Sequence, residues 1–478
     1  MAKTGRIQHV VVLMLENRSF DHIFGYRTGV NGLKGGEFNL PKPSAPESAD
    51  NPAYRVSNGA PYAVPVGEGP GHSFNAANEQ LCGSAAGPSA SAPATNNGFV
   101  SSYQNELVLA DKVKNATPAE IRVVMESFTA AMLPSINALA DNFVLCDNWY
   151  SEVPGPTQPN RLYMHAASSF GYTHNVWGNK FDARTIYNSL QDAGKTWATY
   201  DFDQNEVLEF TQVSSQTANF KLFLNDFAAD VKSGTLPNYS FIVPRFFSKE
   251  QPANAQHAPD DVRYGDNLVA DVYDALRSNP AVWNRSVLIV TYDEHGGFYD
   301  HVVPPAKGVA NPDGINSPPP GDTASWVPKF AFDRLGMRVP AVIVSPWVAT
   351  GVVDSTAYQH TSVLATLKNL FGLSAFLTKR DAQARPFDGL FQKAAKARTD
   401  TPATLPRAPL PRIAAAKGDP AHPANQPLDQ TQKEIVRGVH RLTAPSHPGG
   451  PSIDTMPPTQ AAAADHIRKR YRTHFGRK

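Results

Sequence analysis

The chain has 478 residues, 41% hydrophobic and 10% aromatic, enough for a substantial core in one large domain or two smaller ones. Its 44 Lys and Arg stand against 43 Asp and Glu, and a net charge of +1 gives no footing for a nucleic-acid partner. No apolar run approaches the ~18 residues of a transmembrane segment, and 41 prolines with 33 glycines announce long irregular connections rather than general disorder.

The N-terminus, Met1 to Arg6, leads straight into a strand-like segment and has no apolar region of the ~7–15 residues that a signal peptide needs. That fits cytoplasmic residence, leaderless export, or a secreted chain whose leader has been removed. Ile7 to Leu15 reads as a buried strand, broken abruptly by Glu16-Asn17-Arg18-Ser19-Phe20-Asp21-His22. Residues 30–105, rich in Gly, Pro, Ser, Ala and Asn, read as one long surface excursion, and loops of that length are usually functional. Pro118 to Asn142 has helical spacing, with Pro134 separating two helices. Phe143 to Cys146 reads as a strand. It runs toward Pro154-Gly155-Pro156-Thr157-Gln158-Pro159-Asn160-Arg161, too dense in proline for regular helix or central strand.

Short strands near 196–200 and 239–243 follow, then an amphipathic helix from Asp266 to Leu276. Ser286 to Thr291 is a continuous apolar and β-branched run, the pattern of a buried parallel strand. It ends in Tyr292-Asp293-Glu294-His295-Gly296-Gly297-Phe298-Tyr299-Asp300-His301. Val339 to Val344 is a further strand, and His360 to Leu370 a helix. Strands alternating with helices predict an α/β fold: a doubly wound, mostly parallel central sheet with helices on both faces and long surface loops. Residues 1–400 are expected to form the catalytic domain. Residues 401–478 form a Pro- and Ala-rich extension, expected to wrap on that domain and to close in a basic helix over Ala461 to Phe475. Arg468-Lys469-Arg470 on that helix could touch phospholipid head groups at a membrane surface, or simply be solvated. Cys82 and Cys146 either pair or remain free thiols.

Three strand ends supply polar clusters: Glu16-Asn17, Thr157 and Asp293-Glu294. In open α/β sheets the loops beyond the carboxyl ends of strands hold the ligands. Carboxylate and amide oxygens are hard ligands, suited to Ca²⁺, Mg²⁺ or Mn²⁺, and Zn²⁺ also accepts carboxylates. Neighbours on an extended strand face opposite ways, so both members of a pair reach one ion only where the strand breaks into a turn. Glu16-Asn17 has a plainer reading as the cap and first-turn acid of a following helix. Thr157 is either a nucleophile held by rigid backbone or an ordinary turn threonine. His72, His257, His301 and His360 lie in loops or at a helix start, where an imidazole can protonate a leaving alkoxide near neutral pH. No phosphate-binding Gly-rich loop, dinucleotide fingerprint, serine-hydrolase elbow, His-Glu-x-x-His or Cys-x-x-Cys occurs.

The segments at 16–22, 154–161 and 292–305, with Arg338 to Trp347 and His360 to Leu364, resemble the bacterial phospholipase C and acid phosphatase family. The matching blocks run over roughly residues 7–371. The resemblance implies a fold similar to alkaline phosphatase and one divalent metal ion on Glu16, Asn17, Asp293 and Glu294 together with Thr157. Thr157 matches the nucleophile, with His72 and His257 in the phosphate pocket and His295, His301 and His360 as further pocket residues. The implied substrate is a phospholipid, cleaved to diacylglycerol and a phosphorylated head group. A broad-specificity acid phosphatase and a catalytically inactive phospholipid-binding relative are the alternatives. Trp197, Tyr200 and Asp201 are candidates for a cationic head group, or core aromatics and a turn carboxylate.

Overall fold

A computed structural model describes residues 5–413, 419, 422–444 and 456–476. The strands of its main sheet are β1 (His9–Leu15), β2 (Val144–Cys146), β3 (Trp197–Asp201), β4 (Phe220–Leu222), β5 (Tyr239–Ile242), β6 (Ser286–Tyr292), β7 (Ala341–Val344) and β8 (Val352–Asp354). They form one eight-stranded sheet in the order β8-β2-β7-β6-β1-β5-β3-β4. Every pairing is parallel except the two made by β7, which runs against β6 and β2. All seven residues of β6 are buried, and because side chains alternate, both faces of the sheet must be covered.

The covering helices used below are α1 (Phe74–Cys82), α2 (Pro134–Asn142), α3 (Thr157–Ala166), α4 (Arg263–Arg277), α5 (Thr361–Phe371), α6 (Gln430–Leu442) and α7 (Gln460–Phe475). Helix α2 packs with α4, and α3 with α5. The register of β1 on β6 sets His9 opposite Ser286 and Leu15 opposite Tyr292. Glu16 and Asp293 therefore leave the sheet side by side.

Four expectations need correction. The 30–105 excursion is not structureless: it contains α1 and the start of a helix at Phe99–Leu109, and Leu81, Phe99, Tyr103 and Leu107 build a satellite core with Tyr54. The helical reading of 118–133 was too long. Helix stops at Arg122, a tight turn follows, and Glu126–Ser127 becomes a strand paired with Ser57–Asn58. Pro134 then opens α2 at its first turn.

The Pro-dense segment at 154–161 does enter a helix, α3, beginning at Thr157. Pro159 lies in its first turn, where backbone N–H groups have no intrahelical partner to lose. In the C-terminal extension α6 was not anticipated. Asp429 caps it in a box with Gln432, and its Ile435, Val436, Val439 and Leu442 join the main core, as do Ala463, Ala464, Ile467 and Tyr471 of α7. Cys82 and Cys146 are free thiols. Among the described residues no helix is long and apolar enough to cross a membrane.

Candidate active site

Glu16, Asn17, Asp293 and Glu294 emerge from the adjacent ends of β1 and β6 and are all buried. Asn17 has a left-handed backbone (φ 59°), which ends the strand and lets its side chain join that of Glu16 on one side. Its N–H donates to Asp293 Oδ1 at 3.0 Å. Gly296 and Gly297 also have positive φ, and here glycine is required. A Cβ on Gly296 would stand 2.2 Å from the Asn17 carbonyl oxygen, and one on Gly297 would stand 2.5 Å from that of Gly71. The two glycines thus draw the loop after β6 against both the Asn17 turn and the loop carrying His72.

Thr157 is the first residue of α3 and is fully buried. Its Oγ1 donates to Glu16 Oε2 at 3.1 Å and lies 3.5 Å from Asn17 Oδ1. The positive end of a helix dipole at the hydroxyl favours an anion there. One turn on, Arg161 is buried beneath the same carboxylates. Its Nε donates to Glu16 Oε1 at 2.7 Å, Nη1 to Glu206 Oε1 at 2.9 Å and Nη2 to the Met14 carbonyl at 3.0 Å. Burial alone would raise the Glu206 carboxyl, but Arg161 and His165 hold it down at about 2. The sequence does not disclose the role of Arg161, because its spacing of four from Thr157 carries meaning only on a helix that the proline density conceals.

The carboxylates facing Thr157 have no such balance. Burial lifts Glu16 well above the ordinary range; Arg161 opposes this, while Asp293 and Glu294 add to it. Glu294 is pushed to about 8 by burial and by Asp293, against the pull of His72. Asp293 Oδ2 and Glu294 Oε1 are buried with no hydrogen-bond partner among the described residues. Arg161 Nε, 3.7 Å from Asp293 Oδ2, is too far for one. The two orphaned oxygens, with the Glu16 carboxylate, the Asn17 amide and the Thr157 hydroxyl beside them, are hard donors of the kind a divalent cation takes, although the ligand atoms of the three acids do not all lie within 4.8 Å of one another.

His72 Nδ1–H donates to the Pro70 carbonyl at 3.1 Å, which leaves Nε2 to accept from Asn17 Nδ2 at 3.2 Å. His257 stands edge-on to it with ring centroids 5.5 Å apart. Burial first, then His72, lowers His257 to about 3, so it rests neutral, with Nδ1–H on the Ala258 carbonyl. His72, His257 and Pro156 line a cavity of about 330 Å³ beside Thr157.

His295, His301 and His360 do not line that cavity. The turn at Gly296 and Gly297 sends the His295 ring to Gln80 Oε1, 2.7 Å away, and Gln80 in turn donates to the Gly71 carbonyl at 2.7 Å. His360 Nε2 binds the Asp293 carbonyl at 2.7 Å and accepts from Trp149 through Nδ1, which steadies the Asp293 backbone from behind. His301 belongs to a second cluster, where ligand atoms of Asp21, Asp300 and His301 lie within 4.8 Å of one another. Arg338 already supplies positive charge there, 2.9 Å from both Asp21 Oδ1 and Asp300 Oδ1. Trp197, Tyr200 and Asp201 are buried within β3 and do not line the cavity either. Tyr200 bonds Asp230, and Asp201 accepts from Asn205 Nδ2 at 2.6 Å.

A buried hydroxyl at a helix N-terminus, set against clustered carboxylates at the carboxyl edge of a parallel sheet, defines a hydrolase of oxyanion esters. The phosphoesterase family profile matches residues 7–374, and the chain belongs to that family. Non-specific phospholipase C3 of Arabidopsis thaliana is 38% identical over 421 residues, which cover 85% of this chain and 77% of that protein. Non-specific phospholipase C6 of the same plant is 38% identical over 451 residues, covering 90% and 80%. Phospholipase C B of Mycobacterium tuberculosis is 30% identical over 414 residues, covering 77% and 74%. Solved structures superpose less closely. A phosphonate monoester hydrolase from Silicibacter pomeroyi is 11% identical, with 56% of this chain and 73% of that one covered and a TM-score of 0.32.

Proposed function

We propose that this phosphoester hydrolase is of phospholipase C type and cleaves a phospholipid to diacylglycerol and a phosphorylated head group through a phosphothreonine at Thr157. The observation that carries this reading is the Thr157 hydroxyl, buried at the start of α3 and 3.1 Å from Glu16 Oε2. Its proton leaves along that hydrogen bond, and Oγ1 forms a bond to phosphorus as the bond to the diacylglycerol oxygen breaks. A proton carried on Nε2 of His72 goes to the departing alkoxide, since His257 rests neutral with its one N–H on the Ala258 carbonyl. Water then cleaves the phosphothreonine, releasing the phosphorylated head group and restoring the hydroxyl. The positive end of the α3 dipole faces the charge that develops on the phosphoryl oxygens. A single divalent ion, held by Glu16, Asn17, Asp293, Glu294 and Thr157, would supply charge neutralisation and a lowered hydroxyl pKa.

Thr157→Ala should lower kcat on a p-nitrophenyl phosphodiester by ~10³-fold or more, while Thr157→Ser keeps measurable turnover. Unchanged hydrolysis by the alanine variant would end the proposal for Thr157. A wild-type enzyme that cleaves p-nitrophenyl phosphate but no diester would replace the phospholipase reading with an acid phosphatase.

A further inference from the structure

We propose that Gln80 of α1 is a positioning residue for His72, pinning the peptide before it so that Nε2 meets the ester oxygen that leaves; this rests on the phosphodiester reading above. His72 follows Gly69-Pro70-Gly71, and Gly69 has a φ of +113°. Glycine on both sides of one proline leaves the segment free to move unless something outside it holds it. The His72 ring bonds through Nδ1 to the Pro70 carbonyl, only two residues back, and through Nε2 to Asn17 Nδ2. Once Nε2 carries a proton it can no longer accept from Asn17 Nδ2. In its acid form the ring therefore depends on how its backbone is held.

Gln80 supplies that hold. It is buried, and both ends of its amide are engaged. Nε2 donates to the Gly71 carbonyl at 2.7 Å and to Ser102 Oγ at 3.3 Å, and Oε1 lies 2.7 Å from His295 Nε2. A carbonyl only accepts, so the Gly71 contact fixes which end of the amide is nitrogen. Oε1 is then an acceptor, and His295 carries its ring proton on Nε2.

His295 is anchored in its turn. Its Nδ1 lies 3.2 Å from Glu294 Oε2, and the Phe99 ring meets it edge-on with centroids 6.1 Å apart. Contacts thus run from the loop after β6, through His295 and Gln80, to the peptide bond that leads into His72. The most suggestive imidazole of the sequence acts two residues removed from the substrate. Each buried partner in this relay satisfies another, so losing one leaves its neighbours unpaired and the Gly71 peptide unheld.

The leaving group separates positioning of the acid from support of the whole site. p-Nitrophenyl phosphocholine loses p-nitrophenolate, which departs without a proton, whereas soluble dihexanoylphosphatidylcholine loses an alkoxide, which needs one. Both give the same phosphothreonine, and kcat/KM reports only the steps that lead to it. In Gln80→Leu, kcat/KM on the lipid should fall about tenfold or more, part of the roughly 10²–10⁴-fold that a general acid contributes, and on the nitrophenyl ester it should stay within about twofold. Gln80→Glu keeps the shape and the acceptor for His295 but not the donor to Gly71; it should show the same selective loss, and it decides the matter if the leucine variant does not fold. An equal fall on both esters would make Gln80 a support of the whole site, and an unchanged rate on the lipid would mean that His72 keeps its place without it. Either result overturns the inference and leaves the phosphodiester reading standing. If the wild type hydrolyses neither ester, that reading fails and the inference fails with it.

Discussion

Thr157 and Arg161 stand one turn apart on α3 and take opposite oxygens of a single carboxylate: Glu16 accepts from the hydroxyl through Oε2 at 3.1 Å and from the guanidinium through Oε1 at 2.7 Å. Arg161 therefore sets where the carboxylate next to the nucleophile points, while also neutralising Glu206 from the same buried position. Arg161→Met should strip the cation from two buried acids and destabilise the protein by about 3–5 kcal/mol. Urea unfolding and kcat should both register the change. An Arg161→Met protein with wild-type stability and turnover would contradict this account.

Metal removal tests the orphaned oxygens of Asp293 and Glu294. Dialysis against a chelator should abolish hydrolysis and lower the melting temperature, and adding back a divalent ion should restore both. Asp293→Asn and Glu294→Gln should weaken the ion's affinity, read by titration calorimetry on the chelated protein. Full activity in protein shown by elemental analysis to be free of divalent metal would refute the site.

Gly296→Ala addresses the turn itself. The added Cβ would meet the Asn17 carbonyl oxygen at 2.2 Å on a backbone with φ of +65°. Neither a side-chain rotation nor a small shift relieves a clash with backbone, so the cost should exceed about 2 kcal/mol. Because the displaced atom belongs to Asn17, kcat should fall with stability. A neutral substitution would mean that the loop does not rest on Asn17 in solution.

The pH dependence of stability follows from acids outside the proposed metal site. Burial, opposed by the Phe246 and Phe247 N–H groups, raises Asp203 from 3.8 to about 7. Burial, opposed by the Gly178 N–H and Gln158, raises Glu209 from 4.5 to about 8. In each case the folded form keeps a proton that the unfolded chain has released. Their contribution is full below about pH 4 and is lost as pH rises toward 8. Glu206 has the opposite sign: its folded value of about 2 lies below the ordinary 4.5, so its contribution is present above 4.5 and lost on acidification. Between about pH 4 and 8 the wild type should therefore lose melting temperature more steeply than an Asp203→Asn, Glu209→Gln double variant, which has no such protons to release. Parallel profiles for the two proteins would show that these acids do not keep their protons in the folded state.

What could be read from the sequence was local. Glu16-Asn17 and Asp293-Glu294 were visible because each pair directly follows a continuous apolar strand, and the strand register brings them together without further information. The α3 helix was hidden because proline density argues against helix unless the prolines fall at its first turn, a distinction that depends on where the helix starts. His295 sat in the most chemically suggestive run of the chain. Its ring direction was set by the positive φ of the two following glycines, which the letters do not disclose. Glu434 and Asn175 were out of reach for another reason. Their contact joins segments 259 residues apart, and no local pattern marks either as a wall of the cavity.

The clasp of Arg338 on Asp21 and Asp300 depends on the one strand that runs the other way. Because β7 is antiparallel, its entrance lies at the edge where the parallel strands exit, so the residue just before it meets the loops just after β1 and β6. The intervening stretch, 302–337, begins and ends at that clasp. Its closure is secured by ion pairs rather than by its own length, and the entropy of closing a longer loop grows only slowly. Trp326 lies within it. The exposed tip around Trp326 can be rewritten while the nucleophile and its carboxylates keep their places, whereas Phe330 and Phe332, buried against Phe74, Val153 and Tyr163, are held by the core.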